Sequence, residues 1–305
     1  MVKRRLGLVA LLLCLLLCPA RAISVDEAKE PVSVDRACSL SMDFGFSDLS
    51  VKLYQIAEAS ESCFYTLCPA FEASDLMLNG VQSNGEWNVI RSTLETYILA
   101  SATGEDLRTV TDEEGTAHFH GLTAGLYLIV SEDAVQGEQV YRFASALVAL
   151  PALGENGFWQ YDVAVTAKWE LIPPVEPEKE VEYKVLKLWK GSDTHRPDRI
   201  DVEIFRNGIS HAWVSLSEEN NWSYSWRAPQ DGAVWKVVER NIPEGYTVTV
   251  EERETTFLLT NTKEGPDTPP PDTGDRSHVL LYIILLNVSG MALLILGLTG
   301  KRKRA

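Results

Sequence analysis

The chain has 305 residues, of which 45% are hydrophobic and 23% are charged, and its formal net charge at pH 7 is −15. This length accommodates two domains of usual size. The acidic balance disfavours nucleic acid as a partner, because proteins that bind nucleic acid present basic residues to its phosphates. A net negative charge also favours solubility, but it does not identify what the protein binds.

A short apolar segment follows basic residues at the N-terminus. Lys3–Arg5 precede an apolar run from Leu6 to Cys18, and Ala20-Arg21-Ala22 follows as a small-x-small cleavage site. This pattern predicts a secretory signal peptide over residues 1–22. The run is shorter than the about 20 apolar residues that a membrane-spanning helix needs. We therefore expect an exported chain that begins near Ile23.

Two segments rich in proline and charge divide the exported part. They lie at residues 171–182 and 264–278. Neither can bury a core, and proline favours extended polyproline geometry in both. The segments leave a short N-terminal stretch at residues 23–35, a first domain at 36–170 and a second domain at 183–263, both within usual domain sizes.

The first domain combines strand-like segments with one helical segment. The strand-like segments are Leu40–Phe46, Val51–Ile56, Leu126–Val130, Phe143–Leu150 and Trp159–Val165. The residues at helical spacing are Trp87, Ile90, Leu94, Tyr97 and Ile98. This spacing predicts an amphipathic helix inserted into a mainly β domain.

The second domain consists of short segments whose apolar residues alternate. These residues are Tyr183, Val185 and Trp189; Val202, Ile204 and Phe205; Trp222, Tyr224 and Trp226; Trp235 and Val237; Tyr246, Val248 and Val250; Phe257 and Leu259. Asn207-Gly208 and Pro243-Glu244-Gly245 are turn signals between them. The pattern predicts an antiparallel sandwich, and the chain as a whole is expected to be mainly β, with two tandem immunoglobulin-like or prealbumin-like sandwiches.

Three polar residues of the second domain occupy positions where this alternation predicts inward apolar side chains: Lys187, Glu239 and Asn261. Because an unpaired buried charge is costly, we expect the three side chains to meet. Burial favours a neutral amine and a protonated acid, which are the forms needed for amine attack on a carboxamide. We predict an amide between Lys187 and Asn261, formed with loss of ammonia and with Glu239 as proton shuttle. The alternatives are a polar triad that never reacts, or strands twisted enough for Lys187 to reach solvent.

Several strings of the second domain occur in the order typical of a known family. They are Lys187-Leu188-Trp189, Arg196-Pro197-Asp198, Asn220-Asn221-Trp222-Ser223-Tyr224, Ile242-Pro243-Glu244-Gly245-Tyr246 and Asn261-Thr262. Residues 183–263 thereby resemble a Cna B-type domain of Gram-positive surface proteins. The resemblance implies a self-formed Lys–Asn isopeptide bond assisted by an acid, with Lys187, Asn261 and Glu239 at the matching positions.

The first domain resembles the N-terminal module of Gram-positive pilin subunits. The similar segments are Gly121–Leu128 and Trp159–Lys168. The resemblance implies that Lys168 is the lysine that accepts the next subunit, but Thr166 and Ala167 replace the Tyr and Pro of the pilin motif. An ordinary exposed lysine is the alternative. Met42 and Asp43 stand where an inward lysine would be expected on the opening strand, so we predict no cross-link in this domain.

The C-terminus carries Pro270-Pro271-Asp272-Thr273-Gly274, an apolar run at residues 279–298 and a basic tail at 299–305. The run is long enough to span a bilayer, and the basic residues favour the cytoplasmic side for the tail. The order resembles a sortase sorting signal, which usually reads Leu-Pro-x-Thr-Gly; Pro270 replaces the Leu. The resemblance implies cleavage after Thr273 and attachment to peptidoglycan or another pilin subunit. Uncleaved retention in the membrane is the alternative.

Cysteine and histidine residues give weaker signals. Cys38, Cys63 and Cys68 remain after signal removal. Since an odd number cannot form a complete disulfide framework, a Cys63–Cys68 disulfide and unpaired thiols both stay open. A lipoprotein signal ending at Cys18 is an alternative for the N-terminus, although a bulky Leu precedes this cysteine.

His118 and His120 share one strand face. A metal site there would need a third ligand, which the nearby sequence does not offer, and two exposed histidines are the alternative. No metal, cofactor or enzyme activity is predicted.

These observations favour a surface protein that is held at the cell envelope by its C-terminus. The first hypothesis is a structural or adhesive protein anchored to the wall, either a minor pilin or a stalk adhesin. The second is a backbone pilin that sortase polymerises through Lys168, and the third is a membrane-retained protein without sortase processing. A wall hydrolase lacks a convergent acid/base pair outside the Lys187 triad. The expected partners are sortase, peptidoglycan or pilin subunits, and a host or bacterial surface ligand.

Overall fold

The structure is a computed structural model that describes residue 28 and residues 30–172, 176–191 and 196–263. The predicted signal peptide at 1–22, the motif at 270–274 and the apolar run at 279–298 lie outside the described residues. Among those that are described, no helix combines the length and the apolar character needed to cross a membrane.

The described residues up to Ile172 form thirteen strands and one α-helix. The strands are β1 (Cys38–Asp43), β2 (Ser50–Ala59), β3 (Tyr65–Leu67), β4 (Leu107–Val110), β5 (Thr116–Leu122), β6 (Gly125–Ser131), β7 (Ala134–Gln136), β8 (Gln139–Phe143), β9 (Ala146–Leu150), β10 (Ala152–Leu153), β11 (Trp159–Gln160), β12 (Asp162–Thr166) and β13 (Trp169–Ile172). The helix, α1 (Asn84–Ser101), lies between β3 and β4.

The described residues from Glu176 form seven further strands. They are β14 (Glu176–Lys190), β15 (Arg199–Arg206), β16 (Ile209–Ser217), β17 (Ser223–Gln230), β18 (Trp235–Arg240), β19 (Tyr246–Arg253) and β20 (Thr256–Lys263). We refer to β14–β20 as the second sandwich and to β1–β13 with α1 as the N-terminal region.

The N-terminal region is built from sheets in the order β12-β1-β5, β3-β2-β6-β9 with β4 on β2, β13-β8-β7 and β10-β11. Strand β1 shows how the sequence directs this packing, since Leu40 and Met42 point inward and are buried while Asp43 is exposed. The inward residues of β1 and β5 pack with Val51, Leu53 and further residues of β2 and β6 into one apolar core. The mainly β class predicted from the sequence is confirmed.

Helix α1 covers the other face of the β2–β6 sheet. It begins with a capping box, in which Ser83 Oγ accepts a hydrogen bond from the Glu86 amide and the Glu86 carboxylate accepts one from the Ser83 amide. Ile90 and Leu94 are buried in a second apolar core with residues of β2 and β6. The inserted helix predicted from the apolar spacing is therefore confirmed.

The second sandwich pairs a sheet in the order β17-β14-β20-β19 with a sheet in the order β16-β15-β18. Strands β14 and β20 are parallel neighbours, while the other pairs are antiparallel. Val185, Val202, Val237 and Leu259 are among the fully buried residues of its core. Strand β14 is followed by Gly191, whose φ is +98° and where a Cβ atom would lie 2.7 Å from the Lys263 carbonyl oxygen.

Three predicted segments are divided or bounded differently in the structure. The segment Phe143–Leu150 forms the end of β8 and all of β9, since β8 pairs with β13 whereas β9 pairs with β6. Trp159–Val165 is divided between β11 and β12 at the buried Tyr161, whose hydroxyl accepts from the Ser33 amide. The proline-rich segment at 171–182 contains the end of β13 and the start of β14.

Helix α1 also contacts the second sandwich, at the side where β18 and β19 are the edge strands of their sheets. The amide of Val250 on β19 donates to Thr93 Oγ1 at 2.9 Å, and Arg240 Nη1 on β18 donates to the Ala100 carbonyl at 3.0 Å. Exposed strand edges carry unpaired backbone groups that invite pairing with other chains. The helix therefore covers this edge and joins the N-terminal region to the second sandwich.

Candidate functional site

The parallel ladder between β14 and β20 sets the positions of Lys187 and Asn261. Lys187 lies opposite Leu259, and Trp189 lies opposite Asn261. Since side chains two residues apart on a strand share a face, Lys187 and Asn261 are diagonal neighbours on the inward face of one sheet. The burial of Val185 and Leu259 on the same face shows that this face is the core side.

Glu239 reaches the same point from the facing sheet. It lies on β18 two residues after the buried Val237, so its side chain also points into the sandwich. Its Oε2 lies 2.9 Å from Lys187 Nζ, and its Oε1 accepts a hydrogen bond of 2.7 Å from Asn261 Nδ2. One carboxyl group thus contacts both other members of the triad, as the strand alternation predicted.

The triad is withdrawn from water. The side chains of Lys187 and Glu239 are 0% exposed, and Asn261 as a residue is also 0% exposed. Burial lowers the pKa of Lys187 to about 8, although the nearby Glu239 acts in the opposite direction. A pKa of this size leaves roughly a tenth of the amines neutral at pH 7, against well under a thousandth for an ordinary lysine.

Three atoms of the triad lack well-directed hydrogen bonds within the described part of the chain. Lys187 Nζ and Glu239 Oε2 are within ion-pair distance of each other, yet the angle of this contact is not that of a hydrogen bond. Asn261 Oδ1 is buried without a partner. Such atoms are costly, since each has lost its water without a full replacement. The Lys187–Glu239 pair is therefore an electrostatic contact at 2.9 Å.

The chemistry available here is amine attack on a carboxamide. A rotation of the Asn261 side-chain amide by half a turn would bring Oδ1 to Glu239, and the two orientations have nearly the same shape. A protonated Glu239 would then donate to Oδ1 and polarise the carbonyl that the Lys187 amine attacks. Sequence reasoning missed one neighbour, Trp189, although its position two residues after Lys187 places it on the same face.

The structure leaves Lys168 in the N-terminal region and does not bring it to the triad. It is exposed between β12 and β13, and its carbonyl accepts from the Ala144 amide.

Met42 is buried on β1, and Asp43 after it is exposed. The inward position of the opening strand is therefore occupied by an apolar side chain that cannot form an amide.

The two histidines lie side by side on the exposed face of β5. The rings of His118 and His120 are stacked with centroids 6.2 Å apart. His118 Nε2 lies 3.0 Å from an Asp112 carboxylate oxygen, and its Nδ1 lies 3.0 Å from Ser41 Oγ. In the described ranges, no group of three or more His, Cys, Asp or Glu side chains is arranged to hold a metal ion. Both ring nitrogens of His118 have protein partners.

The three cysteines of the N-terminal region are free thiols. Cys38 is buried in the core of the sheets, and Cys63 and Cys68 are half-buried. Burial raises the pKa of the Cys68 thiol to about 11, with smaller contributions from nearby carboxylates. Thiols with raised pKa values carry little thiolate at neutral pH, and nucleophilic chemistry at these residues is disfavoured.

Comparison with known proteins bears most directly on the second sandwich. Residues 183–262 match the family model described as the Cna protein B-type domain. No curated protein is similar enough to the chain to count as a relative.

Several solved structures align with this chain. A single B repeat unit of the collagen-binding surface protein Cna of Staphylococcus aureus is 15% identical, with 75% of this chain and 99% of that chain covered and a TM-score of 0.27. The minor pilin of Streptococcus agalactiae is 14% identical, with coverages of 76% and 99% and a TM-score of 0.25. The full-length major pilin SpaD of Corynebacterium diphtheriae is 10% identical, with coverages of 77% and 99% and a TM-score of 0.28.

Because these identities and TM-scores are low, the solved structures do not identify the chain. The family-model match identifies one part of it. The match covers the segment in which the Lys187, Glu239 and Asn261 side chains meet. The resemblance inferred from its sequence strings is thus confirmed, and residues 183–262 are a β-sandwich that matches the Cna protein B-type domain.

Proposed function

We propose that this chain is a structural or adhesive protein of a Gram-positive cell surface, and that its second sandwich forms an amide between Lys187 and Asn261. The observation that carries the proposal is the bridging contact of Glu239, which lies 2.9 Å from the lysine and 2.7 Å from the asparagine amide. The match of this segment to the Cna protein B-type domain supports a role at the cell surface.

The proposed reaction is a transamidation within one folded chain. The neutral Nζ of Lys187 attacks Cγ of Asn261 while Glu239 donates a proton to the carbonyl oxygen. Glu239 then takes a proton from the attacking nitrogen and passes it to Nδ2, and ammonia leaves as the Cγ–Nδ2 bond breaks. The oxygen returns its proton to Glu239 as the carbonyl re-forms, so Glu239 ends in the protonation state in which it began. The Cγ–Nζ bond replaces the bond that is lost, so no oxidant, reductant or cofactor is consumed.

The fold supplies what this reaction needs. The two sheets hold amine, acid and carboxamide together before any chemistry, which replaces a bimolecular encounter by a fixed contact. The apolar core keeps water from the polar atoms and lowers the pKa of the amine to about 8. By the chain-entropy model for a comparable cross-link, the closed loop from Lys187 to Asn261 would stabilise the fold by roughly 4–5 kcal/mol.

The test is the intact mass of the folded recombinant chain. Amide formation removes one ammonia, or about 17 Da. We expect Lys187→Met, Asn261→Ala and Glu239→Gln to lack this loss and to melt at lower temperature. Lys184→Met is the matched control, because Lys184 lies on the same strand and is exposed. If the unaltered chain keeps its full mass after folding, no amide forms and the triad is a buried polar cluster.

The anchoring part of the proposal comes from the sequence. We propose two surface modules, at residues 36–170 and 183–263, carried by a chain that sortase attaches to peptidoglycan or to pilin subunits after cleavage at Thr273. The protein would then be a minor pilin or a stalk adhesin that meets a host or bacterial surface ligand. The third hypothesis, retention in the membrane without processing, predicts that detergent alone extracts the chain.

A second candidate is a backbone pilin joined through Lys168. The exposure of Lys168 at the junction of β12 and β13 favours this candidate, since an acceptor amine must reach the enzyme that modifies it. The replacement of Tyr and Pro by Thr166 and Ala167 just before it argues for the first candidate. Wall extracts separate the two, because a backbone pilin forms a covalent ladder of its own and a minor pilin does not.

A further inference from the structure

The aromatic residues beside Lys187 are not explained by the triad itself. We propose that Trp189 is a positioning residue for amide formation, whose ring holds the Lys187 amine against Glu239 and Asn261. This inference rests on the proposed amide between Lys187 and Asn261. Trp189 does not react, and its role is to limit where the reacting nitrogen can lie.

Trp189 is adjacent to both reacting residues. On β14 it follows Lys187 by two residues and shares its face, and in the ladder with β20 its Cα is the register partner of Asn261. Lys187 Nζ lies 4.5 Å from the centre of the Trp189 ring, within the range of a cation–π contact. The ring therefore borders the path from the lysine to the carboxamide on the next strand.

Two of the directions around Nζ are already occupied. The Trp189 ring face lies on one side, and Glu239 Oε2 lies 2.9 Å away on another. N–H groups of a neutral amine can point to a ring face and to a carboxyl oxygen. With both directed in this way, the lone pair of the amine is left to face the Asn261 carboxamide, which is the orientation that attack requires.

The Trp189 ring is itself held in place. It packs edge to face with Trp222 at 5.2 Å and with Tyr246 at 5.3 Å between ring centres. Such contacts leave a ring little freedom to turn. The three aromatic side chains come from β14, from the residue before β17 and from the start of β19, so three separate segments of the chain meet at the Trp189 ring.

The surrounding structure holds the backbone of Trp222 in an unfavourable conformation. Its φ is +53°, a left-handed conformation that a bulky residue seldom adopts and that costs free energy. In this conformation the Trp222 carbonyl accepts a hydrogen bond of 2.8 Å from the Lys187 amide. The residue that supports the Trp189 ring thus also fixes the backbone of the reacting lysine.

The experiment follows amide formation in time. The full chain is recovered unreacted in urea, diluted into folding buffer at several pH values, and sampled for the loss of about 17 Da. Trp189→Phe keeps an aromatic face and should react within about threefold of the unaltered rate. Trp189→Leu should lower the limiting rate at high pH about tenfold or more. Trp189→Met, which has a flexible apolar side chain, is the second non-aromatic variant and should show the same loss.

A purely structural role predicts a different result. Trp235 is buried in the same core on β18, and Trp226 is half-buried on β17, so Trp235→Leu and Trp226→Leu measure the effect of lost packing alone. We expect these controls to lower stability but to keep the limiting rate of the unaltered chain. The inference is wrong if these controls slow the reaction as much as Trp189→Leu does. It is also wrong if Trp189→Leu and Trp189→Met react at the rate of the unaltered chain. In both cases the proposed function still stands. If the unaltered chain never loses ammonia, the proposed function fails instead.

Discussion

Glu95 on α1 and Lys236 on β18 form an ion pair of 2.5 Å between the N-terminal region and the second sandwich. Both side chains are about 85% withdrawn from solvent, and Lys236 also contacts Glu252 on β19 at 2.6 Å. Burial alone would raise the pKa of Glu95, but the charges of Lys236 and Arg91 outweigh it, so that the pKa is lowered. The ion pair therefore favours the folded arrangement.

The first prediction concerns this pair. Glu95→Gln should lower the free energy of unfolding by about 1–3 kcal/mol, because Lys236 then keeps Glu252 alone as its carboxylate partner. Urea unfolding at pH 7 measures the loss. Glu251→Gln is the control, since its pair with Arg253 is exposed and should contribute little. Equal stability of Glu95→Gln and the unaltered chain would contradict a stabilising role of the pair.

The same pair has a defined pH dependence. A carboxyl group with a lowered folded-state pKa stabilises the fold above its unfolded value and loses this contribution as the pH falls through the folded value. The ordinary pKa of Glu95 is 4.5, and the folded value lies below it. The stability difference between the unaltered chain and Glu95→Gln should thus be constant near neutral pH and close below about pH 4.5.

The second prediction is the pH dependence of amide formation. Only the neutral amine attacks, and the pKa of Lys187 is about 8 because burial disfavours its charge. For a Glu239 that stays protonated, as the proposed proton donation requires, the rate should rise about tenfold per pH unit below this value and level off above it. Refolding from urea at pH 6 to 9, followed by intact mass, gives the profile. A rate that is the same at pH 6 and pH 8 would show that deprotonation of Lys187 does not control the reaction.

The sequence predicts those residues of the site whose position follows from strand alternation. Lys187, Glu239 and Asn261 were predicted to meet because strand alternation has a fixed period of two, so an inward position can be assigned without knowing the neighbours. Strand β16 is an edge strand whose inward residues are Ala212, Val214 and Leu216. It was missed because Ile209 and Trp213 on its exposed side are also apolar and obscure the alternation.

The contact between α1 and the second sandwich could not be predicted in this way. Ser92, Thr93 and Thr96 are polar, and a helical pattern assigns them to the solvent face. All three are nonetheless buried, because their small side chains let the helix approach β18 and β19 closely. Only the tertiary arrangement shows that the Val250 amide needs the Thr93 hydroxyl as its partner.

The third prediction tests the sorting signal, which lies outside the described residues. In a Gram-positive host that carries sortase, Thr273→Ala should move the protein from the wall fraction to the detergent-extractable membrane fraction, because cleavage after Thr273 can no longer occur. Asp272→Ala is the control, since that position varies in such signals. If the unaltered protein is already fully extracted by detergent, the sorting interpretation is wrong and the apolar run is the anchor.

The fourth prediction concerns Lys168. We expect the protein to appear in wall extracts without a covalent ladder of its own, because Thr166 and Ala167 depart from the pilin motif. A ladder that disappears in Lys168→Arg and persists in Lys184→Arg would instead establish the backbone-pilin candidate, since arginine keeps the charge but does not form the amide. A ladder that persists in both variants would place the acceptor at another residue.

The parallel pairing of β14 and β20 has a mechanical consequence. The first strand of the second sandwich begins at Glu176 and the last ends at Lys263, and in a parallel ladder these two points lie at opposite ends. Tension between them loads the hydrogen bonds from Lys184–Thr256 to Lys190–Thr262 in shear, all at once, instead of opening them one after another. Each such bond contributes only about 1 kcal/mol, so the resistance of the ladder lies in their simultaneous loading. The Lys187–Asn261 pair lies within this ladder, where a covalent link would stop the two strands from sliding past each other.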